Sequence, residues 1–597
     1  MVRWSSAVPV LRNRARQARH TARDALAVAA RRVSARLGST TVPEWAWPVP
    51  DTPEHGSTPG TGLDTEAFAP QPVSPRLRRW LPVDPAAPLV GLRVVSAGGP
   101  SASAEVGFTV EALPALLARW PDARGAVRGH VPVPVLVADA DIVPTLRRLL
   151  HGRSGLVVQV PGSPRRSALL NALAAVVKPP TASDASAWEL EARSSGVPVY
   201  VLGQDVDAPA LGYLMADTER LGDEGRRARL SVLRSSPARD TVAGTPAAPP
   251  PGPESRVTVE VEPRRVVVAG HDLKFARGLI DHLAGLGHDV RLDEWTGHQR
   301  HDPARSRQLA RWADSVLCEW ALGNAVWYAE HAPPGTRLTT RLHLQEAALD
   351  YPGLVRRGRM DRFVFVADHV RRQVIRDHRI DPALTTVVPN AVHVPPQPPA
   401  RAGSATRATD RAFTLGLVGM TPARKGLHRA LDLLAELRGQ DRRFTLRIKG
   451  HLPSDQAWMA ARTHEAAYYR RHFARMEADP SLRGAVHLDD FGHDMDGWYA
   501  GIGFALSTSD FESFHFTLPD GAAHGAVPVS LAWPGADGLY PVDWLHASVP
   551  DMAGTIRRLA GEPGARAEAS ARARDWVESH FDARRVLPAL AREVLGG

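Results

Sequence analysis

From Arg264 to the C-terminus, short apolar runs alternate with longer stretches of helical period. The runs read as strands at Arg265–Ala269, Asp289–Leu292, Ser315–Glu319, Arg337–Leu342, Phe363–Val366, Thr385–Val388 and Phe413–Val418. This alternation constrains the fold more than any other feature of the chain, because it predicts parallel sheets with helices on both faces. A Pro-rich break, Pro395–Ala400, divides the region in two. Two α/β lobes joined by a short connection make a cleft, and open parallel sheets bind ligands outside the carboxyl ends of their strands.

The 597 residues correspond to about four domains. An arm (1–40) and a linker rich in Pro, Thr and Gly (41–85) precede an α/β domain at 86–235. That domain shows strand patterns at Leu89–Val95, Val133–Val137, Leu156–Val160 and Val197–Leu202. Its helical patterns are Val110–Arg119, Val143–Leu150, Arg165–Val176 and Ser186–Ser194. A second linker, 236–262, contains Pro246, Pro249, Pro250, Pro251 and Pro253. The lobes follow at 263–400 and 401–597.

Composition excludes some functions. The net charge of +9 is concentrated in the arm, where nine arginines against Asp24 give +8. The rest of the chain is nearly neutral, so a nucleic-acid-binding body is not implied. In the arm, Leu11, Ala15, Ala18, Ala22, Leu26, Ala29, Val33 and Leu37 share one helical face. An Arg-rich amphipathic arm suits an anionic membrane surface or an organelle transit peptide. The single cysteine, Cys318, sits in an apolar run and rules out an intrachain disulfide framework, which fits a reducing, cytoplasmic setting. No apolar run approaches the roughly 20 residues of a membrane span.

Two motifs carry chemistry. The first is Gly419-Met420-Thr421-Pro422-Ala423-Arg424-Lys425-Gly426, between the strand Phe413–Val418 and an amphipathic helix, Leu427–Leu437. A strand–loop–helix unit of this kind can offer a cation and backbone amides to a phosphate. The second runs from Glu512 through Asp520 to Val529, with the two carboxylates eight residues apart. Asp520 suits a ligand hydroxyl or, three residues after Thr517, a capping box.

These motifs, in this order, resemble the family 4 glycosyltransferases of the GT-B fold. The resemblance covers about 263–597 and rests on the Pro422–Gly426 loop and on Glu512 to Val529. It implies two Rossmann-like lobes facing a cleft, preceded here by an additional N-terminal α/β domain. It implies a retaining transferase that moves a sugar from a nucleoside-diphosphate sugar to a glycan or lipid-linked acceptor, in cell-surface polysaccharide or glycolipid synthesis. By the same resemblance Lys425 contacts the donor diphosphate, Glu512 the donor sugar and Asp520 the ribose. Gly419, Arg424, Phe514, His515, Phe516 and Thr517 complete the donor side. His343, after the strand Arg337–Leu342, is the histidine expected near the reacting sugar, and His271 and Lys274 face the acceptor. Asp520 stands where the family has Glu, and Met420 where it often has Arg. No cofactor or metal is implied, although Asp139-Ala140-Asp141 and Asp494-Met495-Asp496 match a metal-binding pattern. A sugar-nucleotide epimerase, or a non-catalytic glycan- or nucleotide-binding protein, would fit the same lobes.

Residues 189–199 echo Asp520 to Val529, with Ser183 eight positions before Glu191. They suggest a degenerate donor-binding lobe in 86–235. A helix followed by Gly-Val-Pro-Val is also common in α/β folds at large.

Overall fold

The computed structural model describes residues 262–356, 358–396 and 411–596, together with separate pieces of the chain between 89 and 235. The arm, the first linker and nearly all of the second lie outside the described residues. The chain divides after Ser235 into two compact units.

The first unit contains β1 (Leu89–Val95), β2 (Phe108–Thr109), α1 (Leu113–Ala118), β3 (Val133–Ala138), α2 (Val143–Leu149), β4 (Leu156–Gln159), β5 (Ala175–Lys178), α3 (Ala187–Ser194), β6 (Val199–Val201) and α4 (Thr218–Ser235). Its sheet is parallel throughout, ordered β4-β3-β1-β5-β6, with the short β2 on β1. β3 is buried along its whole length, as expected of a strand covered on both faces. The helix expected over Arg165–Val176 is overturned at its C-terminal end. Ala175–Lys178 is a central strand, paired with β1 and β6, because Val176 and Val177 are β-branched and two neighbouring strands are available to them.

The second unit holds two lobes. The N-terminal lobe consists of β7 (Arg265–Gly270), α5 (Arg277–Gly285), β8 (Asp289–Glu294), α6 (Pro303–Trp312), β9 (Ser315–Glu319), α7 (Gly323–His331), β10 (Arg337–Leu342), α8 (Leu344–Ala347), α9 (Tyr351–Leu354), β11 (Arg362–Phe365), α10 (Asp368–His378) and β12 (Thr385–Val387). The parallel sheet runs β12-β11-β10-β9-β7-β8. Its order reverses between β7 and β9, which makes a crevice at their carboxyl ends.

The C-terminal lobe is built from β13 (Thr414–Val418), α11 (Leu427–Gln440), β14 (Thr445–Lys449), α12 (Thr463–Ala478), β15 (Val486–Asp489), α13 (Met495–Ala500), β16 (Phe504–Ser507), α14 (Thr517–Ala523), β17 (Val527–Leu531), β18 (Leu545–His546), α15 (Val549–Gly561) and α16 (Pro563–His580). Numbered within the lobe, its strands run 3-2-1-4-5-6, the dinucleotide-binding order, with the reversal between β13 and β16. The last helix, α17 (Ala583–Leu595), leaves this lobe and completes the other. Its Val586, Ala589, Leu590 and Val594 pack on Val266, Val268, Leu279 and Leu283, and Arg337 donates to the carbonyl of Glu593 at its end (3.0 Å).

None of the described helices is long and apolar enough to cross a membrane.

Candidate active site

The site grows out of the reversal point of the C-terminal lobe. Beyond β13 the chain turns at Gly419 and reaches α11 through Gly426. Gly426 has φ of 74°, and a Cβ there would lie 2.0 Å from the carbonyl oxygen of Thr508, just past β16. Only glycine allows both the turn and the close approach. Thr508 stitches the loops together, its hydroxyl donating to the carbonyls of Lys425 and Gly426 (3.0 Å each).

That approach brings the two motifs face to face. Lys425 Nζ donates to Glu512 Oε1 at 2.6 Å, Ser509 Oγ donates to the same oxygen at 2.8 Å, and Arg424 lies 3.4 Å away. Burial disfavours the Glu512 carboxylate, but His515, Lys425 and Arg424 outweigh it and hold its pKa down at about 2. Burial pushes the imidazole of His515 down to about 3, so it is uncharged at neutral pH. Met420 is fully buried in the lobe's core, where an arginine would have no solvent. The loop therefore offers Arg424 and Lys425 as its cations. Arg424 also lies 4.8 Å over the exposed ring of Phe511.

Asp520 is in the first turn of α14. The cap residue is Phe516, with no side-chain cap hydrogen bond, so the capping reading of Thr517 and Asp520 finds no support. Burial, reinforced by Asp496, raises the Asp520 pKa to about 7. Phe514, His515 and Thr517 are buried and Phe516 is partly exposed.

An open depression of about 400 Å³ lies at the ends of β14 and β15, lined by Arg447, Lys449, Asp489, Phe491, Asp494 and Trp498 among others. Arg447 holds Asp489 with two hydrogen bonds (2.8 and 2.9 Å), and Trp498 Nε1 donates to the same carboxylate (2.7 Å). Asp494 pairs with Lys449 (2.8 Å), while Asp496 reaches His524 (3.1 Å). The two acids of the Asp494-Met495-Asp496 pattern thus have different partners. Among the described residues, no group of three His, Cys, Asp or Glu side chains could hold a metal. Sequence reasoning missed this depression, although Phe491, exposed and stacked on His451 at 4.1 Å, is an unusual surface aromatic.

Across the cleft, His343 is only 3% exposed. It lies between Trp320 (4.4 Å between ring centres) and Phe275 (4.9 Å), and its Nε2 donates to Glu319 at 3.2 Å. Burial lowers its pKa despite Glu319. Phe275 then stacks on Phe516 of the other lobe at 5.4 Å, so one ring links His343 to the Glu512 loop. His369 joins the lobes again by donating to the carbonyl of Glu512 (2.9 Å). His271 is exposed, and Lys274 is paired with Asp272 (2.7 Å) at the rim. Trp320 and His515 both have positive φ, 68° and 60°. Such strained side-chain-bearing residues collect at functional sites.

Two doubly wound lobes, joined across the carboxyl ends of their strands and locked by a returning C-terminal helix, define the GT-B class of fold. No family model matches the chain, and no curated protein does. Similar solved structures include HepE of Anabaena in complex with UDP, at 14% identity over 56% of this chain and all of that one, with a TM-score of 0.45. A glycosyltransferase from Rickettsia africae has 14% identity over 56% of this chain and 99% of that one, at 0.44. WaaG, a glycosyltransferase involved in lipopolysaccharide biosynthesis, has 15% identity over 56% and 100%, at 0.40. Likeness at this level carries no weight of its own; the fold stands on the sheet orders and the contacts across the cleft.

Proposed function

We propose that the second unit is a retaining glycosyltransferase using a nucleoside-diphosphate sugar, with a glycan or lipid-linked acceptor and a role in surface polysaccharide or glycolipid synthesis. The observation that carries this reading is the meeting of Lys425 and Glu512 at 2.6 Å, at the reversal point of a dinucleotide-order sheet. In the reaction the bond from the anomeric carbon to the diphosphate oxygen breaks, and the diphosphate leaves with the electron pair. A bond to an acceptor hydroxyl oxygen forms on the same face, and that hydroxyl passes its proton to the departing phosphate oxygen. Negative charge grows on the departing phosphate, where Lys425 and Arg424 stand. A diphosphate that takes Lys425 draws it from Glu512, and the released carboxylate is then available to sugar hydroxyls. Asp520 would accept from the ribose, and the depression at the ends of β14 and β15, with Phe491 at its edge, would take the base. No cofactor or metal has a part in this scheme.

The test is release of nucleoside diphosphate from a panel of sugar nucleotides with and without candidate acceptors. Acceptor-dependent release with a sugar-bearing product is expected. Interconversion of the sugar nucleotide without acceptor would instead make the protein an epimerase, and binding without turnover would make it a binding protein. The arm, residues 1–40, would hold the enzyme on the cytoplasmic face of an anionic membrane. Each cation near such a surface contributes about 1 kcal/mol, screened by salt. Co-sedimentation with anionic vesicles should therefore need the arm and fail at high salt. Binding that survives its deletion would end this part of the proposal.

A further inference from the structure

The N-terminal lobe carries aromatic rings that the proposed chemistry does not use. They form one continuous row. Tyr351 meets His298 (6.2 Å between centres), His298 meets His271 (5.2 Å), His271 meets Trp320 (6.0 Å) and Trp320 meets Phe275 (5.8 Å). Phe275 then stacks on Phe516 of the donor lobe at 5.4 Å, with the ring planes 10° apart. The row starts at Tyr351 in α9 and ends at Phe516, in the loop that carries Glu512. Its members come from loops after β7, β8 and β9, from α9 and from the donor lobe, so the fold assembles it from distant sequence.

We infer that this row is the acceptor subsite and that it receives a neutral sugar ring, not a phosphate or an anionic lipid headgroup; the inference rests on the glycosyltransferase reading above. Pyranose rings present a face of C–H groups that packs on aromatic side chains, and an edge of hydroxyls that needs neutral hydrogen-bonding partners. Both are present. His271 is exposed, and His298, Tyr351, Phe275 and Phe516 are partly exposed. The amide of Gln299 donates to the Tyr351 hydroxyl at 2.8 Å, and that of exposed Gln345 lies 3.5 Å from His298. Mostly apolar rings with a few convergent amide and hydroxyl groups are the usual make-up of a site for an uncharged ligand.

A phosphate would need cationic partners. Lys274 lies 4.9 Å over the Phe275 ring, but its charge is matched by Asp272 at 2.7 Å, and the buried Arg341 is bonded to Asn390 at 2.6 Å. Partial desolvation, with His298 as a neighbour, keeps His271 below its ordinary pKa. The row offers stacking and hydrogen bonds, and the ammonium over its Phe275 ring is already matched by an acid.

Saturation-transfer NMR on the full chain tests this with neutral methyl glycopyranosides (gluco, galacto, manno and N-acetylglucosamine) against glycerol 1-phosphate. At least one glycoside should bind through its ring protons, and glycerol phosphate should not. Tyr351→Ala and His271→Ala should each weaken glycoside binding by about tenfold while the melting temperature shows both variants folded. Preference for glycerol phosphate, silence from every glycoside, or glycoside binding untouched by both substitutions would each overturn the inference. A parallel titration with nucleoside diphosphates separates the two levels. If they bind and no glycoside does, the acceptor inference fails and the transferase reading stands. If they do not bind, the transferase reading fails with it.

Discussion

The sheet of the first unit and the sheet of the donor lobe share a plan. With the two-residue β2 set aside, the first unit's strands run 3-2-1-4-5, as the first five strands of the donor lobe do. In each, the helix before strand 5 ends in a left-handed glycine, Gly196 (φ 70°) and Gly525 (φ 79°). In each, an arginine on a later helix donates to the carbonyl two residues before that glycine: Arg229 to Ser194 (2.8 Å) and Arg574 to Ala523. Four residues before each arginine, Ser570 donates to the Gly525 carbonyl (2.9 Å), and Gly225 crowds the Gly196 carbonyl so closely that a Cβ would lie 2.1 Å from it. The strand ends differ. The donor lobe has Lys425 and Glu512 there. After β1 the first unit reads Ser96-Ala97-Gly98-Gly99-Pro100, without a cation, and Ser183 stands eight positions before Glu191. The comparison teaches that the scaffold of such a lobe, its strand order and its arginine staple, is separable from the chemistry at its rim.

The largest effect should come from breaking the chemistry in one lobe only. Lys425→Ala removes a cation from the leaving phosphate and should lower the transfer rate on the order of 100-fold, about 3 kcal/mol, with the fold intact. Glu191→Gln, at the matching helix of the first unit, should leave turnover unchanged. Steady-state assays of both variants decide this. A Lys425→Ala enzyme near wild-type rate would put the diphosphate elsewhere.

Within the donor lobe, Glu512→Gln should damage turnover more than Asp520→Asn. Glu512 holds Lys425, Ser509 and Arg424 together, and truncating a buried charge partner costs about 2–3 kcal/mol. Asp520 has no capping role to lose. Rates compared at equal folded fraction check the order, and a more inactive Asp520→Asn reverses it.

Much of this was legible in the sequence, for reasons particular residues show. Ser315–Glu319 and Arg337–Leu342 are strands with the bounds their apolar pattern gives. The Lys425 loop and Glu512 could be paired because each follows a strand and the motifs occur in a known order. Ala175–Lys178 misled because a short apolar run fits helix or strand equally, and only its neighbours β1 and β6 decide. His343 was expected to face the cleft, and its enclosure depends on Trp320 and Phe275, which come from two other loops. The depression between Arg447 and Trp498 was invisible for a similar reason. Its walls come from the ends of two strands and a helix, and no contiguous motif marks it.

The shared staple makes a smaller, symmetrical prediction. Arg229→Ala and Arg574→Ala each remove a charged donor from a backbone carbonyl, at a cost of about 2 kcal/mol. Hydrogen exchange on the full chain should show Arg229→Ala loosening α3 and α4 and Arg574→Ala loosening α14 and α16. If Arg229→Ala left α3 and α4 as protected as before, the staple of the first unit would have no energetic role and the likeness would be one of topology alone.

The smallest effect is in pH, and it separates Asp520 from every other group of the comparison. Its pKa is raised from 3.8 to about 7, chiefly by burial and then by Asp496. The folded state therefore keeps a proton that the unfolded chain has released between those values. Its contribution to stability is complete below the unfolded pKa and declines as pH rises through about 7. Ligand binding should run the other way, because a ribose diol donates best to an ionised carboxylate. From pH 6 to 8 the ionised fraction of a group titrating near 7 grows by about tenfold, and nucleoside-diphosphate affinity should grow by a similar factor. In Asp520→Asn both slopes should flatten, while Glu512, which titrates at about 2, contributes to neither in this range. Calorimetric titration at a series of pH values measures the affinity slope, and thermal melting measures the stability slope. An affinity that stays flat in the wild type would mean that the ribose is held by a group other than Asp520. An affinity that rises equally in Asp520→Asn would assign the titration to a different site.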